Sequence, residues 1–542
     1  MSEDDPDNGL DEEYVEDDLD ETDFNEATYL TAFPDIAEAV RRGVLESGLA
    51  HYRSLGRAEG RLEKPEYRAL LHGRAGAAPS PVSIDTLTVS RSGAVLMTGW
   101  TDDRQDPLTR IALEMGEAES HVWTAFPRLP RADVRREVGI AVKPHPFGFL
   151  LVGAPRRGAP RRGVPRDGAG ETAGIDPDAV RAPVFHFASG AEDAVQHDPV
   201  VTSDTALRDM ALAALPIAAA EGDPASLHAL LDQHVGVQVA ALNRAIVERA
   251  HASRLVERVG SPRARYRASV VTSLRGRADQ LVPRLTLIAT GAGAEEHEHI
   301  FVVTEADQFE PALRAAHVAE KTLGLPLTLV FQPDGDAAGA GEDAASDIAR
   351  SDRLIFMDQT VYPRDPDWAF RHAAILSGAP EAQTRLFGGL LYGLDGSLAH
   401  GGYYFDRETG LLSRPGLAPG RVVRTRVRRV THPAPGALPA LRKAHPVAAL
   451  PAAFLSADRS WFEQLGRFTH TYVRAAYDDI DLCLRAMKDG VPAWVHPLAF
   501  WYFERRAPLK PEPGRGGTLF NDWLFHRQWD EQILSTLPNA GG

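Results

Sequence analysis

"LTLVFQPDGDAAGAGEDAASDIARSDRLIFMDQ", residues 327–359, decides how the second half of this chain is read. Leu327–Phe331 is a short apolar run, and so is Leu354–Met357. Between them, "DAASDIARS" carries a helical pattern. Apolar runs that alternate with helices indicate a parallel sheet covered on both faces. The second run stops at an acid, Asp358. In such sheets ligands bind beyond the carboxyl ends of the strands, so an acid at that tip is a candidate site residue.

Working outward, the same alternation begins near residue 266. "YRASVVTSL" reads as a strand and "ADQLVPRLTLIAT" as a helix. "HIFVVTEA" and "FEPALRAAHVAEKTLG" repeat the pair. The strand ends then carry Ser273 to Arg277, Glu305, Gln332 to Gly335, and Asp358. "HEH" at His297–His299 has the composition of a metal cluster, but is expected to be the solvated turn before a strand.

Upstream the pattern changes. Residues 204–258 read as a helical connector, with Leu227, Leu230, Leu231, Val235 and Val239 on one face. Residues 81–200 contain short β-branched runs broken by Gly, Asp and Pro, the signature of an antiparallel β-sandwich. Within them "APRRGAPRRGVPRDGAG", residues 154–170, reads as a disordered basic loop. No aromatic side chains interleave its arginines, so nucleic-acid binding is not expected. Residues 23–61 read as a small helical hairpin. Ile36, Val40, Val44 and Leu45 mark a first helix, and Leu49, Tyr52 and Leu55 a second that stops at Gly56. Its "YL…FPDI…HYRSLGRAEGR" pattern resembles a module found at the ends of some bacterial glycosyltransferases and surface-associated proteins.

The chain has 542 residues, enough for several domains. Its net charge of −16 is concentrated: Glu3 to Glu26 hold 14 acids and no Lys or Arg, leaving the rest near neutral. Residues 1–22 are expected to be an acidic disordered tail. No apolar run approaches the ~20 residues of a membrane span. The acidic start does not read as a signal or transit peptide. The single cysteine, Cys483, excludes an internal disulfide and a cysteine zinc site. A cytoplasmic location is expected, and peripheral membrane association is compatible with it.

Downstream of residue 359 come "LFGGLLYGLDGSLAHGGYYFD", "FLSADRSWFEQLGRF" and "YDDIDLCLRAMKDGVPAWVHPLAFWYFE". With the preceding strand ends, over about residues 266–506, this ordered series resembles the inverting family-two glycosyltransferases of GT-A fold, rhamnosyltransferase-like members above all. The resemblance implies an α/β, Rossmann-like nucleotide-diphospho-sugar transferase domain over residues 266–535. It would follow the β-sandwich and the N-terminal helical module. It implies a nucleotide-sugar donor, a polysaccharide, lipid-linked or protein-linked acceptor, and a divalent cation, Mg²⁺ or Mn²⁺.

Residue by residue, Glu305 falls where the family has a nucleoside-binding acid. Asp358 falls on the first acid of its metal motif. Asp479 falls on the catalytic base, with Asp478 as the acid before it. His400 and Gly402 fall on an HxG segment, after an Asp395-Gly396 turn that closes a hairpin. Ser273 and Arg277 belong to the first, phosphate-proximal loop. Blander roles stand beside these: a turn acid for Asp358, a solvated loop acid for Glu305, a structural histidine for His400, and helix caps for Asp479 and Asp481.

The departures concern the metal. Thr360 replaces the second acid of the motif, and a hard cation prefers charged oxygens. Tyr502 stands where a late histidine is common, and Pro451-Ala452-Ala453 where the family has TGA. The cation is therefore doubtful. Arginines of the chain, Arg275, Arg277 or Arg505, are the candidates to replace it. A catalytically silent scaffold that binds carbohydrate or protein is the alternative, and a partner-binding role for the hairpin and tail is a third.

Overall fold

The structure is a computed structural model. It describes residues 26, 29–30, 33–56, 82–116, 120–129, 131, 134, 147–155, 176–221, 230–291, 293–332, 339–412, 420–433, 438–474, 476–503 and 515–537. The acidic tail and nearly all of the basic 154–170 loop lie outside them, as does Arg505. The chain divides into two compact units: residues 1–83 with 131–147, and residues 84–130 with 148–542.

In the first unit a helix spans Pro34–Arg41 and a short one Gly48–His51, which continues as a π-turn over Tyr52–Gly56. Tyr29, Ile36 and Tyr52 form its small core. The first helix is shorter than its periodicity implies. Gly43 adopts a left-handed φ of 71° that ends the turn, and Val44 lies outside the helix, 73% exposed. The Glu26 carboxylate accepts the backbone N–H groups of Gly48 and Leu49, satisfying donors that a helix start leaves open.

The second unit begins with two small sheets. Its strands are β1 (Val82–Ser90), β2 (Val95–Thr101), β3 (Leu108–Glu114), β4 (Ser120–Trp123), β5 (Arg128–Leu129), β6 (Gly148–Gly153), β7 (Val184–Phe187), β8 (Glu192–Ala194) and β9 (Val200–Thr202). One sheet runs β5-β6-β2-β1-β9 and the other β4-β3-β7-β8. Pairing is antiparallel except between β1 and β9, which are parallel. Phe149 of β6 meets Phe185 of β7 across the two sheets, their rings 5.8 Å apart. Every residue of β6 is buried. The explanation is that Leu150 and Val152 face the other way, into the helices Asp204–Glu221 and Val235–Ala252.

The connector ends earlier than expected. Leu255–Val259 is a strand, β10, antiparallel to β13 at the edge of the large sheet. Its sequence, LVERV, does not alternate with the period of a strand, and it is the pairing with β13 that fixes it as one.

The large sheet contains β11 (Ala268–Ser273), β12 (His297–Val303), β13 (Leu327–Phe331), β14 (Arg353–Met357), β15 (Val361–Pro363), β16 (Leu386–Tyr392), β17 (Leu398–His400), β20 (His445–Val447), β21 (Phe454–Asp458) and β22 (Ala493–Tyr502). Between β17 and β20, β18 (Tyr403–Leu412) and β19 (Gly420–Arg429) form a separate hairpin. The order across the large sheet is β10-β13-β12-β11-β14-β21-β16-β22-β15. Strands β11 to β14 are mutually parallel, as the alternation predicts. Their helices are Leu281–Ala289, Phe309–Leu323 and Ala340–Ile348. Beyond β14 the sheet turns mixed, because β21 pairs antiparallel with both β14 and β16.

The chain lays β12 and β13 on one side of β11 and β14 on the other. The crevice outside the carboxyl ends of β11 and β14 is thus a topological switch point, where open α/β sheets bind ligands. Among the described residues no helix is long and apolar enough to cross a membrane.

The "HEH" segment is a correction. His297, Glu298 and His299 are the first residues of β12 and all three are buried. His297 Nδ1 bonds the Gly293 carbonyl at 3.0 Å, and His299 Nε2 that of Ala294 at 3.2 Å. Burial pushes His299 down to about 4, so the ring is neutral. Helices cover both faces of this strand, which is why polar residues there are enclosed rather than solvated.

Candidate functional site

At the switch point lies a cleft of about 660 Å³. Ser273 and Arg275 reach it from the end of β11, and Asp358 and Thr360 from the end of β14. Asp478 and Asp479 enter from the helix Asp478–Lys488, and His400 and Tyr403 from the hairpins.

Asp358 is fixed on three sides. Its backbone N–H donates to the Ala453 carbonyl at 2.9 Å. Its Oδ1 accepts the Thr360 N–H at 2.9 Å and the Thr360 hydroxyl at 2.6 Å. Burial works to raise this carboxyl, but Arg275 and the Thr360 donors outweigh it and hold Asp358 below the usual carboxylate range.

The loop after β11 turns through two consecutive left-handed residues, Arg275 at φ 42° and Gly276 at φ 74°. Glu305 Oε2 accepts the Gly276 N–H at 2.8 Å. The turn brings the Arg275 guanidinium to 3.9 Å from Asp358 Oδ2 and 3.9 Å from Glu342 Oε1. Glu342 also accepts the Ser273 hydroxyl at 2.8 Å. Burial would lower Arg275, but Asp358, Glu342, Asp478 and Glu305 more than offset it, and its pKa is raised.

The helix Asp478–Lys488 opens with three acids and separates them. Asp478 and Asp479 face the cleft, whereas Asp481 is fully buried on the other side. There Asp481 bonds Arg485 Nε at 2.8 Å, Gln528 Nε2 at 2.9 Å and Trp529 Nε1 at 3.0 Å. Asp479 accepts the N–H of Ala452 at 2.9 Å and of Ile480 at 2.8 Å. Pro451–Ala453 therefore links the two halves of the site, holding Asp479 through Ala452 and Asp358 through Ala453. Burial raises both cleft acids. Asp478 is raised strongly, with the nearby Asp479 and Glu342 adding to it. Such a pair titrates as a unit and retains a proton well above the ordinary carboxylate range.

His400 is 3% exposed and lines the cleft. Its Nδ1 accepts the Gly402 N–H at 3.1 Å, which places the ring proton on Nε2. Nε2 has no partner among the described residues. Burial, with Arg429 adding to it, pushes the ring down to about 3, so His400 is a neutral donor. Gly402 at φ 100° is required here, because a Cβ would lie 2.7 Å from Val447. The Asp395-Gly396 turn joins β16 to β17 as expected, with the Gly393 N–H bonded to the Ser397 carbonyl at 2.9 Å.

Of the sequence candidates, Asp358, Asp478, Asp479, Ser273 and His400 share this cleft. Glu305 stands behind it, through Gly276. Arg277 turns away and forms a two-pronged pair with Asp279, both contacts 2.7 Å. Sequence reasoning missed Glu342, Tyr403 and Arg429. Glu342 had a signal: it begins the helix after β13, in the same tier of strand ends. Tyr403 and Arg429 had none, since the β18–β19 hairpin carries them in from outside the alternating pattern.

The residues at Asp358 do not fit a divalent cation. The neighbour that would be a second acid is Thr360, whose hydroxyl spends its proton on Asp358. Among the described residues no three His, Cys, Asp or Glu side chains are grouped to hold a metal.

No family model matches the chain, and no curated protein does. Several solved structures are partly similar. A mannosyltransferase from Pyrobaculum calidifontis, solved with GDP-Man and Mn²⁺, is 14% identical over 55% of this chain and 69% of that one, with a TM-score of 0.31. GalNAc-T7, solved with UDP, GalNAc and Mn²⁺, is 12% identical over 46% of each chain, with a TM-score of 0.34. A mycobacterial protein is 13% identical over 52% of this chain and 77% of that one, with a TM-score of 0.28. The present chain thus spans less than half of GalNAc-T7. At these scores the likenesses carry no conclusion about activity, and the functional reading rests on the cleft.

Proposed function

We propose that the cleft transfers a sugar from a nucleotide-diphosphate donor to a hydroxyl of a glycan, lipid-linked or protein-linked acceptor, with inversion and without a divalent cation. One observation carries this reading. A clamped strand-end acid, Asp358, and an acid pair, Asp478 and Asp479, face one switch-point cleft, with a guanidinium beside them.

The acceptor oxygen attacks the anomeric carbon from the face opposite the diphosphate. A new carbon–oxygen bond forms as the bond to the diphosphate oxygen breaks, and the leaving oxygen takes the electron pair. The acceptor proton passes to the Asp478–Asp479 pair, with Asp479 as the base. Burial raises Asp479 above the ordinary carboxylate range, the direction that suits a base. Asp358 and Ser273 hold the donor, and His400 offers its unpaired N–H to a donor or acceptor oxygen. A cytoplasmic supply of nucleotide sugar suits such an enzyme.

A second reading has its own support. Both Asp479 oxygens already accept backbone N–H groups, the arrangement expected of a silent scaffold. Calorimetry with a panel of nucleoside diphosphates and turnover of matching nucleotide sugars separates the two. Transfer that Asp479→Asn abolishes supports the enzyme. Absence of nucleotide binding in every condition refutes it, and full turnover by Asp479→Asn removes the base assignment.

A further inference from the structure

We infer that Arg275 is the group that neutralises the donor diphosphate, standing where a divalent cation would be needed, and that Glu305 is the positioning residue that aims it. The inference rests on the transferase reading of the same cleft and names the chemistry of its donor subsite.

The acids around the subsite are already occupied by donors from the protein. Asp358 Oδ1 holds two protons of Thr360, Glu342 holds the Ser273 hydroxyl, and Glu305 holds the Gly276 N–H. A metal ion would be left with the second oxygen of each carboxylate. Arg275 is in the opposite position. A guanidinium has five N–H donors. That of Arg275 makes no hydrogen bond to any described residue and approaches Asp358 and Glu342 only at 3.9 Å. Its side chain is 40% exposed, toward the cleft it lines. The acids around it hold it positive without consuming its fork, which matches a pair of phosphate oxygens.

The backbone supports the same reading. A non-glycine residue in the left-handed region costs roughly 1–2 kcal/mol. Arg275 adopts it at φ 42°, and Gly276 follows at 74°. Nothing is packed against Gly276 closely enough to demand the turn: a Cβ there would meet Glu305 no nearer than 3.8 Å. What holds the turn is the Glu305–Gly276 bond, and its result is that Arg275 points into the cleft. The neighbouring Arg277 does not line the cleft and is paired side-on with Asp279, so it does not take this role.

The test is calorimetry on the full chain with uridine, guanosine and thymidine diphosphates and with the corresponding nucleosides, in EDTA and in Mn²⁺. The wild type should bind at least one diphosphate in EDTA, and Mn²⁺ should change the affinity by less than about twofold. Arg275→Gln should weaken that diphosphate by about 10- to 150-fold, the range of a hydrogen bond to a charged group, and leave the nucleoside unchanged. Arg275→Lys should recover part of the loss. Glu305→Ala should weaken the diphosphate selectively, and Glu305→Gln, which keeps an acceptor for Gly276, should largely restore it. Retained nucleoside binding shows that a variant is folded. Strict Mn²⁺ dependence in the wild type, or undiminished diphosphate binding by Arg275→Gln, overturns the inference and leaves the transferase reading standing. Failure of the wild type to bind any nucleotide overturns both.

Discussion

Two acids three residues apart on one helix should respond in opposite directions when neutralised. Asp481 is fully buried and bonded to Arg485, Gln528 and Trp529. Removing one partner of a buried ion pair costs about 3–5 kcal/mol. Arg485 keeps two other partners, the Leu465 and Arg467 carbonyls, which moderates the penalty. Asp481→Ala should therefore cost about 3 kcal/mol, near the lower end of that range. Asp478 is the contrary case. Its charge is opposed by burial, by Asp479 and by Glu342, and Arg275 and a backbone hydrogen bond relieve it only in part. Asp478→Asn should leave the fold as stable at neutral pH or more so, while impairing transfer; functional groups are commonly held at such a cost. A chain of two units need not unfold in one step. The assay is thus urea titration read by amide hydrogen exchange in residues 478–488 and 515–536. A loss below about 1 kcal/mol for Asp481→Ala, against the range for a buried pair, would refute the division of roles. So would Asp478→Asn proving the more destabilising change.

The buried Asp343 predicts a pH effect. Burial outweighs its bonds to His470 and Phe468 and raises it from 3.8 to about 6. Between these values the folded chain binds a proton that the unfolded chain does not, so stability falls as pH rises through the window. Relative to Asp343→Asn, the wild type should lose up to about 3 kcal/mol between pH 4 and 6; thermal unfolding of both proteins that shows a constant gap would count against it. Gly339 tests the wall of the cleft. It has φ 70°, and a Cβ there would lie 2.3 Å from the Phe468 Cβ. Gly339→Ala should cost more than the ~1–2 kcal/mol of left-handed strain alone, because the buried Phe468 must also shift; an unchanged urea midpoint would show that the segment is free to move.

What the sequence made legible follows a physical divide. Asp358 and Ser273 were found because a strand's apolar run announces its own end, and topology makes strand ends neighbours. Asp479 and Asp478 came from the resemblance alone, since no strand leads into the helix that bears them. The direction of Arg275 was not legible, since it depends on a left-handed φ set by a carboxylate 30 residues downstream. Nor was the solitude of His400 Nε2, which is a property of the packed interior. The strand Leu255–Val259 was hidden because its outer residues are charged, as an edge permits. The enclosed His297 and His299 were misjudged because composition is silent about which surface a neighbouring helix will cover.

The bonds of Asp481 have a temporal consequence. The parallel strands β11 to β14 pair with one another along a continuous stretch of chain and can begin to assemble while synthesis continues, with β21 added to β14 later. The helix that bears Asp478 and Asp479 cannot be secured in that way. Its anchor, through Gln528 and Trp529, belongs to the helix Arg515–Thr536, which also reaches back to Asp232 through Trp523 and to Val473 through Asn521. Until those residues have left the ribosome, a nascent chain would have the donor half of its cleft but not a fixed acid pair. On the transferase reading, unfinished copies would hold a donor without transferring its sugar.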